Sequence, residues 1–397
     1  MLSLRPARTP VGIIIALAGV LITVAGCLGS APTPTPTLEP TPTPTPTAPP
    51  PVYRDWPTLP TPTHSIQVFM WWELEVAVRD LDLVRDMGFT WVKQKFPWRD
   101  IEGIERGARD WFRPDFLMDL VDEKGLNIIV RLDQQPFWSQ VDGGAVPLPN
   151  APPADFTAFG DFCFAVAERY AGRIDAYQVW NEPNLSREWG NQPPDPEAYV
   201  ELLKECYTNI KAADPNAIVI SAGLAPTSTI DPANVMPHEE FLRRMYQAGA
   251  QPYFDMLGVH APGYQWPPDT SPEMAVATGA QRWMVFRHVE DIRAIMLEYD
   301  DPNKQIAILE FGWTTDPINP DFAWFAVDDE VQAENLVGAY DWAAQHWNPW
   351  VGLMSMIYMA DPDWDPTREE FWWAITWPGF PEPVLRPAYY ALRDMEK

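Results

Sequence analysis

The chain has 397 residues and a formal net charge of −27. Such an acidic surface repels nucleic acid and anionic lipid headgroups, which argues against both as partners and favours a neutral ligand. The sequence also holds 20 Trp residues, whose flat faces either stack on apolar surfaces such as sugar rings or pack inside a core.

Residues 1–26 have the pattern of an export signal. Arg5 and Arg8 precede an apolar stretch over residues 11–26, and Cys27 follows in the sequence VAGC. This ending resembles the lipobox of bacterial lipoproteins, in which the cysteine is lipidated and becomes the first mature residue. The alternative is an uncleaved membrane anchor, but the stretch is shorter than the ~20 residues that a span needs. We expect a mature chain of charge −29, held on the outer face of the cell membrane by lipid.

Residues 27–64 are predicted to form a disordered linker. Its Thr-Pro repeats fix the backbone φ angle and remove amide donors, so neither a helix nor a sheet can form there. Such tracts extend at about 3.1 Å per residue, which could hold a domain up to about 100 Å from the membrane. The remaining residues, 65–397, are enough for one α/β barrel with insertions.

From residue 65 onward, short apolar runs alternate with amphipathic segments. The runs predict strands at 66–70, 89–96, 126–132, 174–180, 217–222, 254–260, 305–310 and 352–359, and the segments predict helices at 75–87, 114–124, 155–170, 196–213, 238–248, 277–299, 329–346 and 386–395. Asp155 and Asp195 stand at N-cap positions, and Gly88, Gly125 and Gly249 stand where helices end. Eight such units favour a closed (β/α)8 TIM barrel with extended βα loops. An open doubly wound sheet is the alternative, but no Gly-rich phosphate loop follows the first strand.

Cys163 and Cys206 lie in two of these predicted helices. An exported protein could oxidise them to a disulfide, but their separation cannot be read from the sequence, and we expect two buried thiols. No Cys or His spacing matches a metal site, so we expect neither a metal nor another cofactor. We also expect a monomer.

Two predicted strands end on a single acidic residue. YQVWNEPNL (177–185) closes the fourth strand with Asn181 and Glu182, and QIAILEFGW (305–313) closes the seventh with Glu310. In a (β/α)8 barrel the carboxyl ends of all strands meet at one mouth, where active sites are built. The two carboxylates are therefore expected to face each other across this mouth.

These motifs resemble those of a known superfamily. WNEPN at 180–184 and LEFGW at 309–313, placed after strands four and seven, resemble the clan A retaining glycoside hydrolases, which include families 5 and 39. RPAYYAL at 386–392 also resembles the last helix of these cellulase-like proteins, so the resemblance covers about residues 65–397.

The resemblance implies a retaining β-glycosidase that acts on a neutral poly- or oligosaccharide. Glu310 would attack the anomeric carbon, while Glu182 protonates the leaving oxygen and later activates water. This chemistry requires two carboxyls about 5–5.5 Å apart, one protonated and one ionised. Asn181 would hydrogen-bond the sugar 2-hydroxyl.

Strands two and three offer further candidates for substrate contacts. Arg131 and Asp133 share one face of strand three, where Arg131 either keeps the nucleophile ionised or forms a structural pair with Asp133. Lys93 and Lys95 share one face of strand two, where Lys95 either donates to sugar hydroxyls or is solvated. Trp98 opens the loop that follows and is assigned to the substrate site.

Strands six and eight end on aromatic or imidazole side chains. His260 is expected to line the site, with a satisfied core histidine as the alternative. Related enzymes often carry His-x-Tyr here, but Pro262 takes the Tyr position and Tyr264 comes two residues later, which leaves the role of Tyr264 open. After strand eight, Tyr358 stands near the position where many relatives have a Trp. The next loop holds Trp364, Trp372 and Trp373, and the spacing does not say which of them is the sugar platform; Trp364 is assigned to the substrate site.

Two other functions fit part of the pattern. A lipoprotein that binds sugar without cleaving it would share the lipid anchor and the Trp residues, but it would gain nothing from paired Glu side chains. A transglycosylase would use the same covalent intermediate and would differ only in the acceptor.

Overall fold

The described residues of the computed structural model are 56–141, 148 and 150–397; the predicted export signal, Cys27 and most of the linker lie outside them. Eight parallel strands form one sheet in the order β5-β4-β3-β2-β1-β8-β7-β6. The strands are β1 (Thr63–Gln67), β2 (Trp91–Pro97), β3 (Asn127–Asp133), β4 (Ala176–Val179), β5 (Ile218–Ile220), β6 (Leu257–His260), β7 (Ile306–Phe311) and β8 (Val351–Met356). An isolated parallel bridge from Ile220 to Met256 joins β5 to the start of β6, so the sheet closes. The predicted (β/α)8 barrel is confirmed.

The longer helices cover the outside of the barrel, and several short helices lie in the loops that follow the strands. They are α1 (Leu74–Asp86), α2 (Trp98–Ile101), α3 (Phe112–Lys124), α4 (Phe156–Arg169), α5 (Pro196–Ala213), α6 (His238–Gln247), α7 (Pro272–Ala277), α8 (Val289–Glu298), α9 (Pro320–Ala323), α10 (Asp329–His346), α11 (Glu369–Trp373) and α12 (Pro387–Asp394). Strands β9 (Thr376–Trp377) and β10 (Val384–Leu385) form a separate antiparallel pair. Among the helices that the structure describes, none is long and apolar enough to cross a membrane.

The predicted helix caps are confirmed where they matter most. The side chains of Asp155 and Asp195 accept hydrogen bonds from the amides of Thr157 and Ala198, which fixes the starts of α4 and α5 on either side of β4. The helix predicted over 277–299 is confirmed only in its second half, where α8 begins at Val289; its first half is wrong, because α7 ends at Ala277. Gly279, with a φ of 90°, turns the chain away from the helical path.

Apolar side chains fill the barrel interior below the mouth. They include Ile129, Ile220, Met256, Leu309 and Leu353. A much larger apolar cluster fills the layer between the sheet and the helices. The strands are therefore buried on both faces, and this explains why their sequences are continuous apolar runs. Polar residues at the strand ends are easily recognised for the same reason.

The chain joins the barrel before the predicted domain boundary. Leu59 packs on the interior cluster, and the side-chain amide of Gln305 bonds the backbone amide and carbonyl of Leu59 at 2.7 and 2.9 Å. The hydroxyl of Thr61 donates to the carbonyl of Val351, and β1 begins at Thr63. The barrel therefore starts several residues earlier than the predicted linker ends.

A disulfide joins α4 to α5. Cys163 and Cys206 form this bond with their Cα atoms 5.4 Å apart, and both residues are fully buried. The expectation of two buried thiols is therefore wrong. The sequence places both residues on helices, but it does not show that α4 and α5 pack side by side with these two positions facing each other.

Removing this disulfide should lower stability. The bond spans 43 positions, and closing a loop of that length is worth about 4 kcal/mol in the chain-entropy account. We expect the double variant Cys163→Ala/Cys206→Ala to lose about 3–4 kcal/mol of unfolding free energy, measured by urea denaturation. Adding a reductant to the unfolding wild type should reproduce the loss and should leave the variant unchanged. Equal stabilities of variant and wild type would contradict the role of the bond.

Candidate active site

Glu182 and Glu310 meet at the mouth of the barrel, the end formed by the carboxyl ends of the strands. Glu182 follows β4, and Glu310 is the penultimate residue of β7. One oxygen of each carboxylate and one ring nitrogen of His260 lie within 4.8 Å of one another. The Nδ1 atom of His260 is 2.9 Å from Glu182 Oε1 and 3.7 Å from Glu310 Oε2. The structure therefore brings together the two acids that the strand ends predict.

The turn after β4 aims Glu182 at the mouth through an unusual backbone. Trp180 and Glu182 both have positive φ angles, 71° and 41°, which are uncommon for residues with a side chain. Trp180 is anchored because its indole nitrogen donates to the carbonyl of Glu188, and the amide of Glu182 donates to the carbonyl of Gly223. Such conformations persist where the surroundings fix them, and they cluster at functional sites.

Positive side chains surround the carboxylate of Glu310. The Nζ atom of Lys93 lies 3.0 Å from Glu310 Oε1 and 3.0 Å from the carbonyl of Leu309. The Nη1 atom of Arg131 lies 3.6 Å from the same Oε1. Burial alone would raise the pKa of Glu310, but His260, Lys93 and Arg131 outweigh burial and hold that pKa well below its usual range. Glu310 is therefore ionised at neutral pH, as a nucleophile must be.

Arg131 makes both of the contacts that the sequence left open. Its Nε atom pairs with Asp133 Oδ2 at 2.9 Å, which holds the guanidinium in place. Its Nη1 atom faces the carboxylate of Glu310 and also donates to Asn181 Oδ1 at 3.2 Å. Gln178 donates to the same oxygen at 3.3 Å, so the side-chain NH2 group of Asn181 is left to face the cavity. That is the group that a sugar hydroxyl would need as a donor.

His260 is a buried residue that contacts both carboxylates, and its surroundings leave it little freedom. Its backbone carbonyl accepts a hydrogen bond from His288 Nε2 at 3.0 Å. A Cβ atom at Gly223 would stand only 2.1 Å from the Cδ2 atom of the His260 ring, so only glycine fits there. Gly223 thus bonds the backbone of Glu182 and leaves room for the imidazole that contacts its carboxylate.

A cavity of about 700 Å³ opens above the carboxylates. Most of the predicted substrate-site residues line it, namely Arg131, Lys95, Asn181, His260, Tyr264, Tyr358 and Trp364. Trp98 does not, and its assignment to the substrate site is wrong. It is fully buried beneath the mouth, stacks on Phe162 and donates its indole N–H to Glu102. Its position at the start of α2 turns the side chain toward the core.

Other residues that line the cavity carry no sequence signal. Arg187, on the loop after β4, is 70% exposed and lies 3.5 Å from Glu182 Oε2. Glu369 and Glu370 begin α11 on the loop after β8. Burial and the neighbouring Glu370 raise the pKa of Glu369 to about 7. Loop residues of this kind follow no period, so only the fold reveals that they meet. Strand alternation places Lys93 and Lys95 on one face of β2, but it does not show that Lys93 contacts Glu310.

Comparison with solved structures gives the same kind of barrel. A family 39 glycoside hydrolase from Bacteroides cellulosilyticus WH2 has a TM-score of 0.62 at 17% identity, covering 85% of this chain and 63% of that one. GH5_18 from Streptomyces cattleya has a TM-score of 0.59 at 16% identity, with 85% and 80% covered. A GH39 β-xylosidase from Caulobacter crescentus has a TM-score of 0.57 at 17% identity, with 86% and 72% covered.

The chain shares the barrel fold of these glycoside hydrolases. They belong to the two families that the WNEPN and LEFGW motifs resemble. The chain spans less than two thirds of the length of the Bacteroides enzyme. No family model matches the chain, and neither does any curated protein sequence.

The same three side chains have a spacing that could hold a cation. Glu182, His260 and Glu310 each offer one ligand atom within 4.8 Å of the others. However, the cationic groups of Lys93 and Arg131 already lie 3.0 and 3.6 Å from one Glu310 oxygen, and they would repel a divalent ion there. The electrostatics favour an ionised carboxylate in contact with protein cations over a metal ligand.

Replacing Lys93 should shift the pH dependence of activity. Burial lowers the pKa of Lys93 to about 8, so its ammonium is charged throughout the acidic range. An adjacent opposite charge lowers a carboxyl pKa by about 1–3 units, so Lys93→Met should raise that of Glu310. The nucleophilic role that the sequence predicts for Glu310 requires the ionised form, so the acid limb of kcat/KM should move to higher pH by about 1 unit or more. Lys95→Met, two residues along the strand, should leave that limb in place. If the acid limb of kcat/KM stays at the same pH in Lys93→Met, Lys93 does not lower the pKa of Glu310.

Proposed function

We propose that this protein is a retaining β-glycosidase that hydrolyses O-glycosidic bonds of a neutral poly- or oligosaccharide by double displacement. The proposal rests on the approach of Glu182 and Glu310, whose oxygens come within 4.8 Å at the ends of β4 and β7. Retaining enzymes need carboxyls about 5–5.5 Å apart, whereas inverting enzymes leave about 6.5–9.5 Å for a water molecule. The separation here favours the retaining reaction.

The reaction takes place in two steps. The Glu310 carboxylate attacks the anomeric carbon, the bond to the leaving oxygen breaks, and protonated Glu182 gives its proton to that oxygen. Water then enters, Glu182 takes a proton from it, and the resulting hydroxyl replaces Glu310 at the anomeric carbon. Lys93 and Arg131 keep the nucleophile ionised before attack, and Asn181 can donate to the sugar hydroxyl next to the reacting carbon.

A non-catalytic sugar-binding protein is a poorer fit to the same residues. Sugar binding alone does not require Lys93 and Arg131 beside the carboxylate of Glu310. It also does not require the imidazole of His260 beside Glu182. A transglycosylase would need the same residues and the same intermediate, so only the acceptor separates it from a hydrolase.

Export as a lipid-anchored protein is part of the proposal. It rests on Arg5, Arg8 and the VAGC sequence that ends at Cys27. The disulfide between Cys163 and Cys206 supports it, because such bonds persist in oxidising compartments outside the cytoplasm. Cys27→Ala should shift the protein from the membrane fraction to the soluble fraction of cells that express it. Retention in the membrane fraction would contradict lipid anchoring at Cys27.

The test of function is hydrolysis of 4-nitrophenyl β-glycosides, followed by NMR of the product. We expect nitrophenol release and a product whose first-formed anomer is β, because two inversions restore the configuration. A first-formed α anomer would overturn the retaining assignment. Release of longer glycans instead of free sugar would indicate the transglycosylase.

A further inference from the structure

One sector of the mouth lies across the barrel from Glu182. It is formed by β8, β1 and β2, which are neighbours in the sheet, together with the loops that follow them. In an eight-stranded barrel with this strand order, β8 lies opposite β4, which carries Glu182. The cavity of about 700 Å³ continues from the carboxylate pair into this sector, and one sugar ring occupies only part of such a volume.

Aromatic rings form the wall of this sector. Phe69, Tyr358 and Trp364 contact one another, with ring centroids 4.7 Å apart for Phe69–Trp364, 5.4 Å for Tyr358–Trp364 and 5.5 Å for Phe69–Tyr358. All three line the cavity. Edge contacts of this kind hold the rings in fixed orientations, so the wall is preorganised. Tyr358 also interacts electrostatically with Glu310, so the aromatic wall extends to the carboxylates of Glu182 and Glu310.

Charged groups face the same space without forming ion pairs to one another. Lys95, on β2, lines the cavity, and among the described residues no carboxylate oxygen lies within 4.0 Å of its ammonium nitrogen. Asp100 and Asp361 line the cavity beside it and are close enough to interact with its charge. Burial lowers the pKa of Lys95 and raises the pKa values of both acids. The amide of Asp363 donates to one oxygen of Asp361 at 2.9 Å, and among the described residues no hydrogen bond joins Lys95, Asp100 and Asp361 to one another. A carboxylate accepts several hydrogen bonds and an ammonium donates three, so the three groups can still bind hydroxyls.

The proposed roles of Glu182 and Glu310 determine which part of a substrate would enter this sector. The leaving oxygen must lie beside Glu182, because Glu182 protonates it. The sugar that is attacked lies over Glu310, and the rest of the chain on its non-reducing side must then extend away from Glu182. The sector of β8, β1 and β2 lies in that direction.

We propose that Lys95, Asp100, Asp361 and Trp364 form a second sugar subsite, which binds the neutral unit next to the attacked one on its non-reducing side. The inference rests on the proposed function. Sugar hydroxyls donate to the two carboxylates and accept from the ammonium, while the ring faces Trp364. Among the charged residues that line the cavity, carboxylates outnumber the cations Lys95, Arg131 and Arg187, which disfavours a sugar that carries a carboxylate or sulfate. The protein therefore acts on chains rather than on single terminal sugars.

The test compares substrates that differ by one sugar. The pairs are 4-nitrophenyl β-glucoside with β-cellobioside, β-xyloside with β-xylobioside and β-mannoside with β-mannobioside. For the disaccharide member of each pair, only nitrophenol that is released together with the intact disaccharide is counted. Binding energy from a remote unit accelerates the reaction at the attacked one. For whichever sugar is accepted, we expect kcat/KM to be about tenfold or more higher for the disaccharide member. Equal values for the two members would overturn the subsite.

Variants separate the subsite from the catalytic pair. Asp361→Asn and Lys95→Met should lower the ratio of the two kcat/KM values toward 1, while Asp363→Asn should not change it. Asp363 is the matched control because it lies in the same loop as Asp361 but is exposed and does not line the cavity. An unchanged ratio in Asp361→Asn and Lys95→Met would overturn the subsite and leave the glycosidase standing. No nitrophenol from any of the six substrates would overturn the proposed function, and the subsite with it.

Discussion

Glu310→Gln should abolish the turnover of aryl β-glycosides, with kcat lowered by about 10⁴-fold or more. The substitution keeps the shape of the side chain but removes the negative charge that attacks the anomeric carbon in the proposed mechanism. It also places a neutral amide against Lys93 Nζ and Arg131 Nη1, which lie 3.0 and 3.6 Å from the carboxylate oxygen. No neighbour can replace the lost group, because Glu182 must serve as the acid.

Two controls make this result specific. Glu298→Gln removes an exposed carboxylate on α8 that pairs with Arg243, and it should leave kcat unchanged. A 2-deoxy-2-fluoro glycoside with a good leaving group should trap the covalent intermediate in the wild type, and mass spectrometry should find the adduct on the peptide that carries Glu310. An adduct on another residue, or kcat of Glu310→Gln within tenfold of wild type, would remove Glu310 as the nucleophile.

The barrel could be predicted because its signals are local and repeated. Buried parallel strands such as β3 and β7 are apolar on both faces, and helices such as α5 begin at an Asp cap followed by Pro196. Glu182 and Glu310 could be predicted for a related reason. A polar residue at the end of a strand has a position that topology alone fixes, since all strand ends meet at the mouth.

The missed features depend on distances between separate elements. The pairing of Cys163 with Cys206 depends on how α4 rotates against α5, and the burial of Trp98 depends on which way a short helix turns. Arg187 lies beside Glu182 only because the loop after β4 folds back. Alternation along β2 places Lys93 and Lys95 on one face, but depth in the barrel decides that Lys93 contacts Glu310 while Lys95 lines the cavity. None of these distances is encoded by spacing in the chain.

Glu182→Ala should lower activity in a way that depends on the leaving group. Loss of general acid catalysis costs about 10²–10⁴-fold for a substrate whose leaving oxygen needs a proton. A 2,4-dinitrophenyl glycoside needs no such help, so its glycosyl-enzyme should still form. That intermediate should then accumulate, because the residue that activates water is missing. We expect an initial burst of dinitrophenol followed by slow turnover.

Azide should rescue this variant, because it is a nucleophile that needs no base and fits the space that the removed side chain leaves. The product should be a β-glycosyl azide, formed by a second displacement at the anomeric carbon of the Glu310 intermediate. Asn184→Ala provides a control on the same loop, since the side chain of Asn184 makes its hydrogen bonds to the backbone of Ala225 and Met236; azide should not stimulate this variant. Equal losses for good and poor leaving groups without azide rescue would mean that Glu182 positions the substrate and transfers no proton. In that case His260, 3.7 Å from Glu310, would be the next group to test as the acid.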